Sequence, residues 1–210
     1  AQLRAATELL TQGRAAEAIA QVDVALRYYE GFRDAPGSWW ADLALLKTRA
    51  LVSEGHDKEA DTLVDQIARM ANDPETVRAA RVQVAAGMAR RGEHARALEL
   101  CEAVMKESTN PETLAAAAIS KGESHLGLKQ WEDALLSFLQ IPVFHPEKKL
   151  LLPPSLLGTG RAYFGIQDLP RAKETLDELI KNFGGTAEAV AAKTELEKIA
   201  RLEKALAPPK

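Results

Sequence analysis

Four histidines, one cysteine and a glycine-flanked threonine are the residues of this 210-residue chain best placed to do chemistry. A helical zinc pair needs two His or Cys three or four residues apart, so that both ligands leave one face. His56, His94, His125 and His145 are scattered, and none has a second His or Cys at that spacing. Cys101 is the sole cysteine, so an internal disulfide is excluded. It falls on the apolar face of a predicted helix, where an inert small core residue is expected rather than a reactive thiol. Gly158-Thr159-Gly160 resembles a fragment of a phosphate loop, yet no strand-forming run precedes it and no Gly-Lys-Ser/Thr follows. Its better reading is a close helix contact. No Gly-x-Ser-x-Gly elbow is present. Neither an enzyme nor a cofactor protein is expected.

The elements that carry these residues are helices. Apolar residues make up 46% of the chain, enough for a folded core, and they are mainly Ala and Leu rather than aromatic or β-branched. The net charge of −3 comes from interspersed signs, without the basic stripe that nucleic acid requires. No apolar run approaches the roughly 20 residues of a membrane span. Because the sequence starts at Ala1 rather than Met, a secretory signal, a lipoprotein leader or an arbitrary boundary is expected upstream.

Two phrases, Asn72-Asp73-Pro74-Glu75-Thr76 and Thr109-Asn110-Pro111-Glu112-Thr113, stand 37 residues apart and reveal a repeat. Aligned on its turns, the unit recurs with centres at Gly13, Gly55, Gly92, Lys129 and Gln167, in steps of 42, 37, 37 and 38. Five residues after each centre comes Ala18, Ala60, Ala97, Ala134 or Ala172. Four further on stands Val22, Val64, Cys101, Phe138 or Leu176, and three beyond that Ala25, Ile67, Val104, Ile141 or Leu179. This rhythm is the apolar stripe of an amphipathic helix, and the fixed alanine implies a close helix–helix approach. Asp73 and Asn110 should cap helices that begin with Pro at the first position, Ser38 another, and Thr186 a last helix ending near Leu206.

The pattern resembles the tetratricopeptide repeat family, a helix–turn–helix unit of about 34 residues. The family's small residue in the second helix is matched by the five alanines, and its first-helix glycine by Gly122 and Gly160. Its tyrosine is matched by Tyr163, its aromatic after the turn by Trp131, and its final proline by Pro146. The resemblance implies an all-α, right-handed α-solenoid of about five repeats, near 1–30, 38–72, 74–109, 111–146 and 154–184. A capping helix over 186–206 and a tail at 207–210 follow, with 1–206 forming one domain.

The same resemblance puts the first helix of each pair on a concave inner side. Carried over, the groove presents Arg49, Ser53, Arg90, Glu123, Arg161 and Phe164, together with Leu45, Val82, Ala86, Ile119 and Leu157. Family members that grip a C-terminal carboxylate use Lys and Asn. The corresponding Leu3, Thr7, Leu45, Arg49, Val82 and Ala86 include one cation and no Asn, which argues against that ligand. The expected function is a non-enzymatic adaptor that holds a peptide or protein segment in this groove. The alternative is an assembly component docking through its outer face, the connector or the terminal helix; similar repeats in Gram-negative envelope proteins tilt the location toward export.

Two departures from the period complete the reading. An insertion around Glu30 to Ser38 gathers Tyr28, Tyr29, Phe32, Trp39 and Trp40, either as a contact platform or as filling between hairpins. Pro142 should end its helix near Ile141. The apolar connector that follows to Pro154, with Phe144 and Leu151, either tucks against the repeats or forms a contact patch. The Glu195–Lys204 stretch should be a solvated helix face.

Overall fold

A computed structural model describes residues 2–29, 38–70 and 73–206. These residues form eleven α-helices and no strand: α1 (Gln2–Thr11), α2 (Ala15–Tyr29), α3 (Ser38–Glu54), α4 (Asp57–Met70), α5 (Pro74–Arg90), α6 (His94–Glu107), α7 (Pro111–Gly127), α8 (Trp131–Phe144), α9 (Leu152–Ile166), α10 (Leu169–Phe183) and α11 (Ala187–Leu206). They fall into two compact units, Ala1–Thr113 and Leu114–Lys210. In the first unit, hairpins α1–α2, α3–α4 and α5–α6 each pack internally, α2 and α4 pack on the helix that follows them, and α1, α3 and α5 pack in succession. In the second unit α9 is central, packed against α8, α10 and α11.

One turn is built five times. The residue at each expected centre has positive φ: Gly13 75°, Gly55 77°, Gly92 84°, Lys129 59° and Gln167 70°. The next residue sends its N–H back to the carbonyl five positions earlier, from Arg14 to Leu9, His56 to Leu51, Glu93 to Met88, Gln130 to His125 and Asp168 to Tyr163, at 2.8–2.9 Å. That closes the preceding helix as a Schellman motif. The same residue's carbonyl then accepts the N–H of the fixed alanine and opens the next helix. Lys129 and Gln167 bear the steric cost that glycine avoids at the other centres. Gln167→Gly is therefore expected to raise the unfolding free energy by roughly 0.5–1 kcal/mol, and Gly55→Ala to lower it by about 1 kcal/mol. Urea unfolding followed by circular dichroism checks both signs.

The buried stripe follows the expected frame. All five alanines are fully buried, as are Cys101, Leu176, Ala25, Ile67, Ile141 and Leu179, with Val22, Phe138 and Val104 at 1%. Across each hairpin, volumes are matched. Seven residues before the turn centres stand Ala6, Thr48, Ala85, Gly122 and Gly160; nine after them stand Val22, Val64, Cys101, Phe138 and Leu176. Glycine occurs where the opposite residue is Phe or Leu. A Cβ on Gly122 would lie 2.7 Å from the Phe138 ring, and one on Gly160 2.6 Å from Leu176.

Helix starts also agree with the sequence. The Asp73 carboxylate accepts from the N–H groups of Glu75 and Thr76 at 3.0 and 3.2 Å, and Asn110 Oδ1 from those of Glu112 and Thr113 at 2.9 and 3.1 Å. Thr186 Oγ1 accepts from the N–H of Ala189 at 3.2 Å. Ser38, expected to cap α3, is instead that helix's first residue.

Helix α8 departs from expectation by passing through Pro142 to Phe144. Proline lacks the N–H that would bond the Phe138 carbonyl four residues back. Ser155 Oγ on α9 donates to that carbonyl at 2.8 Å, so the orphaned acceptor is satisfied from another helix. The connector is correspondingly short. Helix α9 begins at Leu152 and takes Pro153 and Pro154 in its first turn, where their missing N–H groups cost nothing, leaving residues 145–151 outside helix.

Candidate interaction surface

The expected groove residues are distributed over both units. In the first, Arg49 and Ser53 are exposed on α3 and Arg90 on α5; the Ser53 hydroxyl donates to the Arg49 carbonyl at 3.0 Å. Neither Arg49 nor Arg90 has an acidic partner among the described residues. Val82, expected beside them, is 2% exposed. In the second unit Glu123 is exposed on α7, while Phe164 is half-buried in the core of α9, α10 and α11. Leu157 is also buried.

Arg161 was expected to meet a ligand and meets the chain itself. Its Nε donates to Glu195 Oε1 at 2.9 Å, and Lys198 Nζ donates to Oε2 at 2.9 Å. Glu195, on the helix expected to be a solvated face, is 8% exposed. Its signal in the sequence was its separation of 34 residues from Arg161, close to one repeat. Burial pushes the Glu195 carboxyl up, but hydrogen bonds from Lys198 and Arg161 and the Arg161 charge outweigh it and hold it below the usual 4.5. A carboxyl held low in the folded state contributes stability that is complete above its unfolded value and is lost as pH falls through its folded one. Amide exchange in α11 is therefore expected to speed up as pH drops below 4.5, after correction for intrinsic rates. In Glu195→Gln the step should disappear; a step of wild-type size there would show that other groups hold α11.

Of the aromatic insertion, Phe32 and the side chains of Tyr29 and Trp39 lie outside the described residues. Trp40 is half-buried against the core of α3–α6, as a filling residue would be, and Tyr28 is 72% exposed. The connector shows the opposite of tucking for most of its apolar residues. Val143 is 63% exposed, Phe144 70% and Leu150 91%, whereas Leu151 and Leu152 are half-buried. Sequence reasoning missed Leu136, 66% exposed on α8.

Other chemistry-bearing residues have structural surroundings. His125 is buried, with Nδ1 2.7 Å from the Gln130 side-chain oxygen. Cys101 is fully buried. Among the described residues no three His, Cys, Asp or Glu side chains converge as a metal set, and no helix is long and apolar enough to cross a membrane.

Paired helices joined by one recurring turn define a helical-repeat fold of the kind that generally mediates protein–protein interaction. Residues 155–186, covering most of α9, all of α10 and the turn after them, match the tetratricopeptide repeat model. A crystal structure of nearly identical TPR-like repeats, described as from a kinesin light chain of Podosopora anserina, is similar over 92% of this chain and 94% of that one, with a TM-score of 0.57 and 19% identity. No curated protein sequence matches the chain.

Proposed function

We propose that the chain is a non-enzymatic scaffold that holds a peptide or protein segment on the first-helix face of its first unit, where α3 and α5 carry Arg49, Ser53 and Arg90. The observation that supports this reading is a comparison within the chain. Arg49 and Arg161 occupy the same repeat position, six residues before a turn centre. Arg161 is satisfied by the Glu195 carboxylate at 2.9 Å, whereas Arg49 is exposed with no acidic partner among the described residues. A ligand carboxylate placed on Arg49 would repeat the contact that Glu195 makes, and Arg90 offers a second cation one helix along. The half-buried Leu45 and Ala86 supply apolar footing nearby in sequence.

An array of acidic and amphipathic peptides tests the proposal. Arg49→Ala with Arg90→Ala is expected to weaken the selected peptides about tenfold or more, the loss of at least one charge-assisted contact. Binding should also fall with added salt. Undiminished binding by the double variant would remove this face from consideration.

A further inference from the structure

The five second helices act as controls for one another, and α8 is the exception. Seven residues after the turn centres stand Ala20, Thr62, Glu99, Leu136 and Glu174; fourteen after them stand Arg27, Arg69, Lys106, Val143 and Lys181. All ten positions are exposed. A cation in the last turn is favoured by the carbonyl end of the helix dipole, and α2, α4, α6 and α10 all place one there. Helix α8 gives up that contribution for Val143 and has Leu136 two turns earlier on the same face. Phe144, the last residue of α8, and Leu150, in the connector, are exposed as well. Exposed apolar side chains concentrated in this way mark a contact site.

The charges flanking the stripe identify its occupant. Exposed Glu132 and Asp133 stand at its N-terminal end. At the other end stand exposed Lys149 and half-buried Lys148, the latter 3.9 Å from the exposed Glu147. A matching surface has an apolar centre and the reverse order of charge. The same face turned through a two-fold axis has both. We infer that a second copy of this chain docks here, with the two α8 helices antiparallel. In that arrangement each acidic end lies beside the other copy's basic end, and Leu136 of each copy lies against Val143 and Phe144 of the other. Such an interface is isologous and closes on itself, so it yields a dimer rather than a filament. The helix dipoles are then also opposed. An anionic lipid surface fits less well, because Glu132, Asp133 and Glu147 share the region. This contact is separate from the Arg49 and Arg90 face, so either can fail without the other.

Sedimentation equilibrium of the intact chain at micromolar concentration is expected to give twice the mass of one chain. Leu136→Glu with Val143→Lys installs the residue types that α6 and α10 carry at these positions. It should halve the mass while leaving the helical circular dichroism unchanged. The variants E132K/D133K and K148E/K149E should each be monomeric alone and should regain the doubled mass when mixed. A monomeric wild type, a dimer that survives L136E/V143K, or reversed-charge chains that ignore each other would overturn the inference. So would a monomeric wild type that binds anionic vesicles through Leu136 and Val143.

Discussion

Phe138→Ala is expected to lower the unfolding free energy of the second unit by about 3–5 kcal/mol, the largest effect of any single truncation in the chain. The ring is 1% exposed and held between two helix backbones. A Cβ on Gly122 of α7 would lie 2.7 Å from it, and one on Gly158 of α9 2.3 Å. Both walls are main chain, so the site can collapse only if whole helices move. That places the cost toward the upper part of the range. The reverse change, Gly158→Ala, should cost about 1–3 kcal/mol, because the ring has no room to retreat toward Gly122. In the Phe138→Ala background the sign should invert. The added methyl then fills space, and alanine is the better helix former by about 1 kcal/mol. Denaturant unfolding of the four chains, followed by circular dichroism, gives the coupling. Additive effects would mean that ring and glycines do not share one site.

Ser155→Ala should be the next largest, at about 1–3 kcal/mol, because it strands the buried Phe138 carbonyl that Pro142 cannot serve. Restoring the missing donor by Pro142→Ala should reduce the cost of Ser155→Ala to a few tenths of a kcal/mol, the scale of a residue whose partner no longer depends on it. A Ser155→Ala penalty that stays the same with and without Pro142 would show that the hydroxyl acts elsewhere.

These two sites also mark where the sequence was legible and where it was not. Alanine spacing located all five turns, including those at Lys129 and Gln167 where no glycine marks them, because a period constrains every copy at once. Caps at Asp73 and Asn110 were legible because a cap is made within four residues. The passage of α8 through Pro142 was not, since its compensation comes from Ser155, a residue on another helix. The pairing of Arg161 with Glu195 was not legible for the same reason. Periodicity gives the direction of a side chain but not what stands opposite it, and Glu195 arrives from α11. A clearer signal was available for α9. Leu152 to Gly160 contains no charged residue, and a helix without a polar face is a buried one. That reading would have removed Leu157 from the expected groove.

The recurring turn has one further consequence. A single residue after each left-handed position both ends one helix and begins the next, so the joint is complete within a few neighbouring backbone groups and borrows nothing from distant parts of the chain. A block of 37 residues cut at equivalent points, such as Gly55 and Gly92, carries complementary halves of the joint at its two ends, so that tandem copies restore it. Gene duplication could lengthen this protein block by block without a new solution for the connection, and the only side chains needing revision would be the paired volumes across each hairpin.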